Sequence, residues 1–130
     1  MAVALATEAL GRWLEALNAP QDRAVVLAAV SDDVVVLRHG NYDSRGEVVE
    51  QFEGGEQVVE WFSRCPPRIR FELVSGPRAG DADQWIARYA IMVDDFRGGG
   101  ELRFRIDEQP RIVWLEHVPD ELAERYRLID

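Results

Sequence analysis

The C-terminal half of the chain is dominated by stretches in which apolar and polar residues alternate, and this pattern most constrains the fold. In residues 68–74, Ile69, Phe71 and Leu73 fall on one face and charged residues on the other. A strand at 84–93 follows that is apolar on both faces except at Arg88, and further strands are predicted at 101–107 and 111–118. Turn residues at 76–77, 80–81, 94–100 and 108–110 separate these strands. Alternation with a period of two is typical of β-strands. We therefore expect a run of long antiparallel strands in this half.

The N-terminal half shows helical periodicity instead. Apolar residues recur at i, i+3, i+4 and i+7 from Leu10 to Leu17, which predicts a helix over 4–17. Pro20 is expected to open a second helix over 20–30. A third stripe, Val58, Trp61, Phe62 and Cys65, predicts a helix over 54–66 that Pro66-Pro67 ends.

Between the second and third helices the sequence predicts two strands. Residues 31–33 read as a turn, 34–39 as a β-branched strand, 40–46 as a loop and 47–53 as a short strand. A short helix is expected over 120–127. Helices concentrated before a run of strands indicate an α+β fold. The 130 residues, 47% of them hydrophobic, predict one domain spanning 1–130.

Composition excludes several classes of partner. The net charge of −9 would repel a phosphate backbone, so we expect no nucleic acid. No apolar run is long enough to span a bilayer, and the first residues lack the basic region of a secretory signal, so we expect no membrane association. A single cysteine fits a cytoplasmic location. All fifteen basic residues are arginine, which favours a GC-rich, bacterial genome.

Four segments in a fixed order carry a resemblance to a known family. They are a first helix with Arg12-Trp13, the strand "SDDVVVLRHG" at 31–40, the helix "GGEQVVEWFSRCP" at 54–66 and the strand "RIVWLEHV" at 111–118. This order resembles the NTF2-like superfamily, which includes SnoaL-like and ketosteroid-isomerase-like proteins. The resemblance implies a cystatin-like cone, in which a strongly curved antiparallel sheet packs against about three helices and encloses a deep apolar pocket.

The outer face of the sheet has two interpretations. It combines arginines with apolar residues: Arg68, Arg70, Arg88, Arg103, Arg105, Ile86, Ala90, Met92, Ile112 and Trp114. The arginines could form cross-strand pairs with glutamates and cover the apolar residues with their stems. Alternatively, the face is a homodimer interface, as the resemblance implies, and we favour that interpretation because Arg and Trp are enriched in interfaces.

The resemblance, together with strand parity, predicts which residues line the pocket. The predicted ligand-binding set is Trp13, Val36, Arg38, Trp61, Phe62, Tyr89, Leu102, Phe104, Leu115 and His117. An aromatic, apolar lining with a few polar groups is typical of a small-molecule site. We expect a small hydrophobic ligand and no cofactor.

The resemblance also argues against ketosteroid isomerase activity. At the positions that match the oxyanion-hole tyrosine, the base and the protonated aspartic acid, this chain has Trp13, Arg38 and Leu102. Arginine stays protonated at neutral pH and cannot act as a base.

Arg38, His117 and Tyr89 are the candidate catalytic residues. Arg38 could clamp a ligand carboxylate, enolate or phosphate, or could form an ion pair with Asp32, Asp33, Asp43 or Glu116. We favour the ion pair. His117 could act as an acid or base, since its reference pKa is about 6.5, or could be an ordinary buried histidine. His39 has the opposite parity and is expected outside the pocket.

Other candidates have structural explanations. Asp94-Asp95 fits hairpin-turn chemistry, and Cys65 is expected to be a buried small hydrophobe. No spacing of histidines or cysteines indicates a metal site. Two classes of function remain. The first is a non-catalytic binding or assembly module, in which the pocket holds a ligand or is filled by side chains. The second is a SnoaL-like lyase, isomerase or cyclase in which Arg38 anchors a hydrophobic carbonyl compound and His117 or Tyr89 moves a proton.

Overall fold

A computed structural model describes residues 2–39, 48–65, 69–93 and 96–120 of the chain. Within these ranges there are three helices and six strands. In chain order they are α1 (Ala2–Asn18), α2 (Arg23–Ala29), β1 (Val30–His39), β2 (Val48–Glu53), α3 (Gly55–Ser63), β3 (Arg70–Ala79), β4 (Trp85–Val93), β5 (Phe96–Ile106) and β6 (Ile112–Pro119).

The six strands form one sheet in the order β2-β1-β6-β5-β4-β3. Four of the five pairings are antiparallel, as expected, but β1 and β6 run parallel. Hairpin partners are forced to be antiparallel by their short connection, whereas β1 and β6 are far apart in the chain and are free of that constraint. The sheet is therefore mixed, which corrects the expectation of purely antiparallel pairing.

The helices cover one face of the sheet. α1 packs on β3 and α2, while α3 packs on β1 and β2. The largest fully buried side chains lie between these layers: Trp13, Phe62, Phe104, Leu10, Leu102, Ile112 and Leu115. A sheet with one helix-covered face confirms the predicted α+β class and places the hydrophobic core on the inner face.

The second helix begins later than predicted. Asp22 is its N-cap, and the Asp22 carboxylate accepts a hydrogen bond of 3.2 Å from the backbone N–H of Val25. This cap satisfies a free N–H of the first turn, so the helix starts at Arg23 rather than at Pro20.

The turn predicted at 31–33 belongs to β1. Asp32 and Asp33 are exposed, and Ser31 Oγ donates a hydrogen bond of 2.9 Å to the Asp33 carboxylate. The pairing with β6 is irregular between Val30 and Val35. An irregularity of this kind lets a strand carry adjacent polar residues without breaking off.

The third helix is shorter than predicted. It ends at Ser63 and not at residue 66. Cys65 lies beyond the helix, half-buried, with its Sγ 3.7 Å from the Trp61 carbonyl oxygen. Cys65 is therefore not part of the helical stripe, although it is partly shielded from solvent.

β3 continues through Gly76 and Pro77, where a turn was predicted. Gly76 has φ +97°, and a Cβ there would lie 2.7 Å from the Ile86 carbonyl oxygen. The register of β3 against β4 shifts on both sides of Ser75. Because β3 is an edge strand, it tolerates this bulge and a proline, which cannot donate to a ladder.

Three further expectations about the sheet were wrong. Gly98–Gly100 is strand and not turn, pairing with β4 from Ile91 to Tyr89. Ile112 is fully buried and not on the outer face, because the β5–β6 register shifts between Arg105 and Ile106. Leu73 is 44% exposed although its parity is inward, since its edge strand has a neighbour on one side only.

Several expectations fall outside the described residues. They concern the loop at 40–46, Pro66-Pro67, Arg68, Asp94-Asp95 and the helix at 120–127 beyond Asp120. Among the described residues, no helix is long and apolar enough to cross a membrane.

Candidate functional site

Six residues of the predicted ligand-binding set form the sealed inner wall of the cone. All six are completely buried: Trp13, Val36, Phe62, Leu102, Phe104 and Leu115. They come from α1, α3 and three different strands. Alternation along each strand turns these side chains towards the helices, as the sequence predicted.

An aromatic cluster occupies the space between the helices and this wall. The Trp13 ring packs against Phe62 at 5.3 Å and against Trp61 at 6.4 Å between centroids. Trp61 in turn stacks on Phe52, with the rings 4.7 Å apart and 11° from parallel. Sequence reasoning missed Phe52, although its alternation within β2 and its pairing opposite Val36 make it inward-facing. Four aromatic side chains thus pack together between α1, α3 and the sheet.

Tyr89 and His117 meet beside this cluster. The Tyr89 hydroxyl lies 2.5 Å from His117 Nε2, although β5 separates their strands. Gly100 is the β5 residue paired with Tyr89, and a Cβ at Gly100 would lie 2.4 Å from the hydroxyl oxygen. The phenol therefore crosses β5 over a glycine. Gly100 is a site residue that sequence reasoning assigned to a turn.

Both members of this pair are neutral at pH 7. Burial lowers the pKa of His117 to about 4, and the neighbouring Arg38 and His39 act in the same direction. Burial also raises the pKa of Tyr89, with a smaller contribution from the Asp120 carboxylate. From the sequence we expected His117 to have the reference pKa of about 6.5. The structure instead makes the imidazole a weak base.

We assign the single N–H of the neutral imidazole to Nδ1, because the phenol is the stronger donor and Tyr89 then donates to Nε2. His117 Nδ1 is shielded from solvent and has no hydrogen-bond partner among the described residues. The indole N–H of Trp13 is likewise shielded from solvent and has no hydrogen-bond partner among the described residues. The Trp13 and His117 rings both lie beside Trp61. The centroid of each ring is 6.4 Å from the centroid of the Trp61 ring.

Two unsatisfied donors in one apolar region are energetically costly. A buried donor without an acceptor costs about 1–3 kcal/mol. An oxygen acceptor placed beside Trp61 would remove that cost for either ring. The arrangement can therefore bind an acceptor-bearing apolar molecule.

Arg38 lies at the rim of the same face. Its Nε and Nη2 contact Glu50 Oε1 at 2.7 and 2.5 Å. The ion pair that we favoured thus exists, but its partner is Glu50 on the neighbouring strand and not Asp32, Asp33 or Glu116. Asp43, also considered, lies outside the described residues.

His39 points away from the cone, as expected. Its Nε2 lies 2.7 Å from the Glu116 carboxylate on the outer face.

Burial raises the pKa of the half-buried Cys65 thiol, which disfavours the reactive thiolate. The described residues contain no group of three metal-ligating side chains.

A cavity of about 540 Å³ lies at the opposite end of the sheet, between the start of α1 and the ends of β3 and β5. Leu5, Trp85 and Ile106 are among its lining residues. None of its lining residues belongs to the predicted ligand-binding set. The aromatic end of the cone, rather than this cavity, holds the unsatisfied donors.

Comparison with known proteins defines the class. The sequence matches no protein-family model and none of the curated proteins. Among solved structures, it is similar to an NTF2-like protein of unknown function from Mesorhizobium loti, with 17% identity over 92% of this chain and 93% of that one and a TM-score of 0.67. A SnoaL-like family protein from Agrobacterium tumefaciens gives 17% identity, coverage of 90% and 98%, and a TM-score of 0.68.

A third similar structure is RV0760c from Mycobacterium tuberculosis, with 18% identity over 87% of this chain and 89% of that one and a TM-score of 0.65. The same mycobacterial protein is also known in complex with estradiol-17beta-hemisuccinate. Identities this low define the fold alone. The protein has the NTF2-like cone fold.

Proposed function

We propose that the protein binds a small, largely apolar molecule carrying an oxygen acceptor, at the aromatic end of the cone. The observation that carries this proposal is the pair of buried donors, Trp13 Nε1 and His117 Nδ1, which lack partners among the described residues. The apolar wall supports the hydrophobic part of such a ligand, and the predicted ligand-binding set supplies that wall. The steroid complex of the mycobacterial neighbour supports the same ligand class.

A fluorescence titration tests this proposal. Trp13 and Trp61 border the site, so a polycyclic ketone such as a 3-ketosteroid should quench tryptophan emission saturably. Trp13→Phe keeps an aromatic ring but removes the N–H, so binding measured by calorimetry should weaken by about three- to tenfold. Trp114→Phe on the outer face is the control and should bind as the wild type does. Absence of binding to the wild type would refute the proposal.

A second candidate is catalysis, favoured by the short Tyr89–His117 hydrogen bond. In this reading the protein is a SnoaL-like isomerase, lyase or cyclase, with Arg38 as the substrate anchor. The low pKa of His117 makes it a weak base, so its role would be to donate from Nδ1 to a developing oxyanion. Incubation with hydrophobic carbonyl compounds, followed by chromatographic detection of new products, tests it. Turnover by the wild type that His117→Phe abolishes would support this candidate, and no turnover would contradict it.

We also propose that the outer sheet face joins two copies of the chain. Ile86, Ala90 and Trp114 are half-buried there in the monomer. The Arg105 guanidinium lies 5.1 Å from the Trp114 ring centroid, and its Nε is buried without a described partner. Arginines and glutamates both occur on this face, so a symmetric copy meets complementary charge.

Light scattering after gel filtration tests the dimer. The wild type should have twice the monomer mass, and Ala90→Glu should be monomeric because it adds a charge to the centre of the face. The matched control is Ala24→Glu, at an exposed position of α2. A monomeric wild type would overturn this proposal.

We propose a cytoplasmic location, because a single free cysteine fits a reducing compartment.

A further inference from the structure

Two arginines share one carboxylate at the rim of the cone. Arg38 contacts Glu50 at 2.5 Å, and Arg64 Nη2 lies 3.7 Å from the other oxygen of Glu50. The Arg38 and Glu50 side chains are 34% and 31% exposed, so both are accessible to a ligand. With His117 neutral, this group carries a net charge of +1 on a chain whose net charge is −9.

Among the described residues, the contacts leave one edge of the Arg38 guanidinium available. Both Nε and Nη2 of Arg38 contact the single oxygen Oε1 of Glu50, which therefore occupies one edge of the guanidinium group. The Nη1 hydrogens and the second Nη2 hydrogen have no acceptor among the described residues. Arg64 reaches Glu50 only at a long distance and is more than half exposed. Guanidinium groups bind carboxylates best through two parallel N–H groups, and such an edge remains here.

This rim lies directly beside the buried donors. Arg38 and His117 are partners in the parallel β1–β6 pairing. The Arg38 charge contributes to the lowered pKa of His117, so its field reaches the imidazole. Arg64 follows α3, whose residue Trp61 packs edge-on against His117. One molecule with an apolar body can thus contact both regions.

We infer that the ligand is an amphiphilic carboxylate, with its oxygen acceptor at Trp13 or His117 and its carboxylate at the Arg38–Arg64 rim. This inference rests on the proposed function, and it adds the charge of the ligand and its orientation. The carboxylate occupies the open edge of Arg38 and draws in Arg64, while Glu50 holds Arg38 in position from the other side. The acceptor end enters first, because the charged end is stabilised by partial solvation at the rim.

The experiment compares three probes on one steroid skeleton by calorimetry: a 3-ketosteroid 17-hemisuccinate, the neutral 17-acetate and a cationic 17-dimethylaminoacetate. The acid should bind about tenfold more tightly than the acetate at low salt, and the cation more weakly than both. Raising the salt concentration should reduce the preference for the acid, because the rim is partly exposed.

Two variants assign the preference to the rim. Arg64→Gln should weaken binding of the acid about three- to tenfold and leave the acetate unchanged, because Arg64 contacts only the charged end. Glu50→Gln should strengthen binding of the acid, an effect that partial unfolding cannot imitate. Arg78→Gln, an exposed arginine at the far end of β3, makes the same charge change and should alter neither affinity.

The outcomes separate the two proposals. If the acetate binds and the acid is no tighter, the proposed function stands and the amphiphilic-carboxylate inference fails. The same conclusion follows if the preference for the acid is identical in Arg64→Gln and Arg78→Gln. If none of the three probes binds, the proposed function itself fails.

Discussion

Tyr89 and His117 are joined by a hydrogen bond of 2.5 Å that passes over an intervening strand. Their strands, β4 and β6, do not pair with each other, and the contact exists because β5 presents Gly100 at the crossing. A backbone position without a side chain therefore determines the geometry of the candidate site. The hydrogen bond also helps to hold His117 in the orientation in which Nδ1 has no partner among the described residues.

The low pKa of His117 predicts a pH dependence of stability. The folded pKa of about 4 is below the unfolded value of about 6.5. Protonation therefore favours the unfolded state, and the free energy of unfolding should fall as the pH drops from about 6.5 to 4, by at most about 3 kcal/mol from this residue. Above pH 6.5 the contribution is complete and constant.

Urea unfolding at several pH values between 4 and 8 measures this effect. His117→Gln should lose part of the pH dependence in this window, whereas titration of the other groups persists in both proteins. Equal slopes for wild type and variant would contradict the buried, neutral state. A complementary NMR titration should show one histidine, absent from the variant, that stays neutral down to about pH 4.

Replacing Gly100 with alanine should destabilise the protein. The new Cβ would lie 2.4 Å from the Tyr89 hydroxyl and 2.6 Å from the Val118 carbonyl oxygen. Neither can move without breaking the hydrogen bond or the strand pairing, so we expect a loss of about 1–3 kcal/mol in the free energy of unfolding. Gly11→Ala is the matched control, since a Cβ there would meet no atom within 4 Å beyond its chain neighbours and the backbone of its own helix. That change should stabilise α1 by about 0.5–1 kcal/mol.

Asn18 should be important for the edge of the sheet. Its amide oxygen accepts from the Phe71 N–H at 2.7 Å, and its NH2 group donates to the Phe71 carbonyl at 2.9 Å. The side chain thus imitates the backbone of a further strand and covers part of an exposed edge. Asn18→Ala should cost about 1–2 kcal/mol in chemical unfolding, because two hydrogen bonds are lost.

Asn18→Asp separates the two bonds. The carboxylate can still accept from Phe71 N–H but cannot donate to the carbonyl, so its loss of stability should be intermediate. Gln21→Ala, at the neighbouring turn, removes one exposed hydrogen bond of 3.1 Å to Ser63 and should change the stability less. Equal effects of all three substitutions would contradict the edge-covering role of Asn18.

Periodicity was sufficient to predict the layers of this fold but not the details of its register. Apolar residues at helical and strand spacing, together with the resemblance to the NTF2-like superfamily, predicted the inward positions of Trp13, Leu102 and Leu115. The partner of Arg38 was not predictable in this way. Glu50 is its partner because β1 and β2 pair in one particular register, with an irregularity between Arg38 and His39.

Irregularities also explain the other errors. Ile112 and Gly76 lie next to register shifts, and each shift moves side chains relative to simple alternation. Gly100 was assigned to a turn because a run of glycines usually indicates one. Its true role depends on Tyr89, which is eleven residues away in the sequence and directly opposite in the sheet.

The position of β6 between β1 and β5 has a consequence for how the chain folds. The last described strand in sequence is central in space, so the β1–β2 hairpin and the β3–β4–β5 meander have no direct contact through the sheet. During synthesis each can form separately, but the sheet that joins them is complete only after residues 112–119 have left the ribosome. Until then, the facing edges of β1 and β5 are open to association with other nascent chains. The interval before the final strand is added is therefore when this protein is most exposed to misassembly, and when a chaperone would be most useful to it.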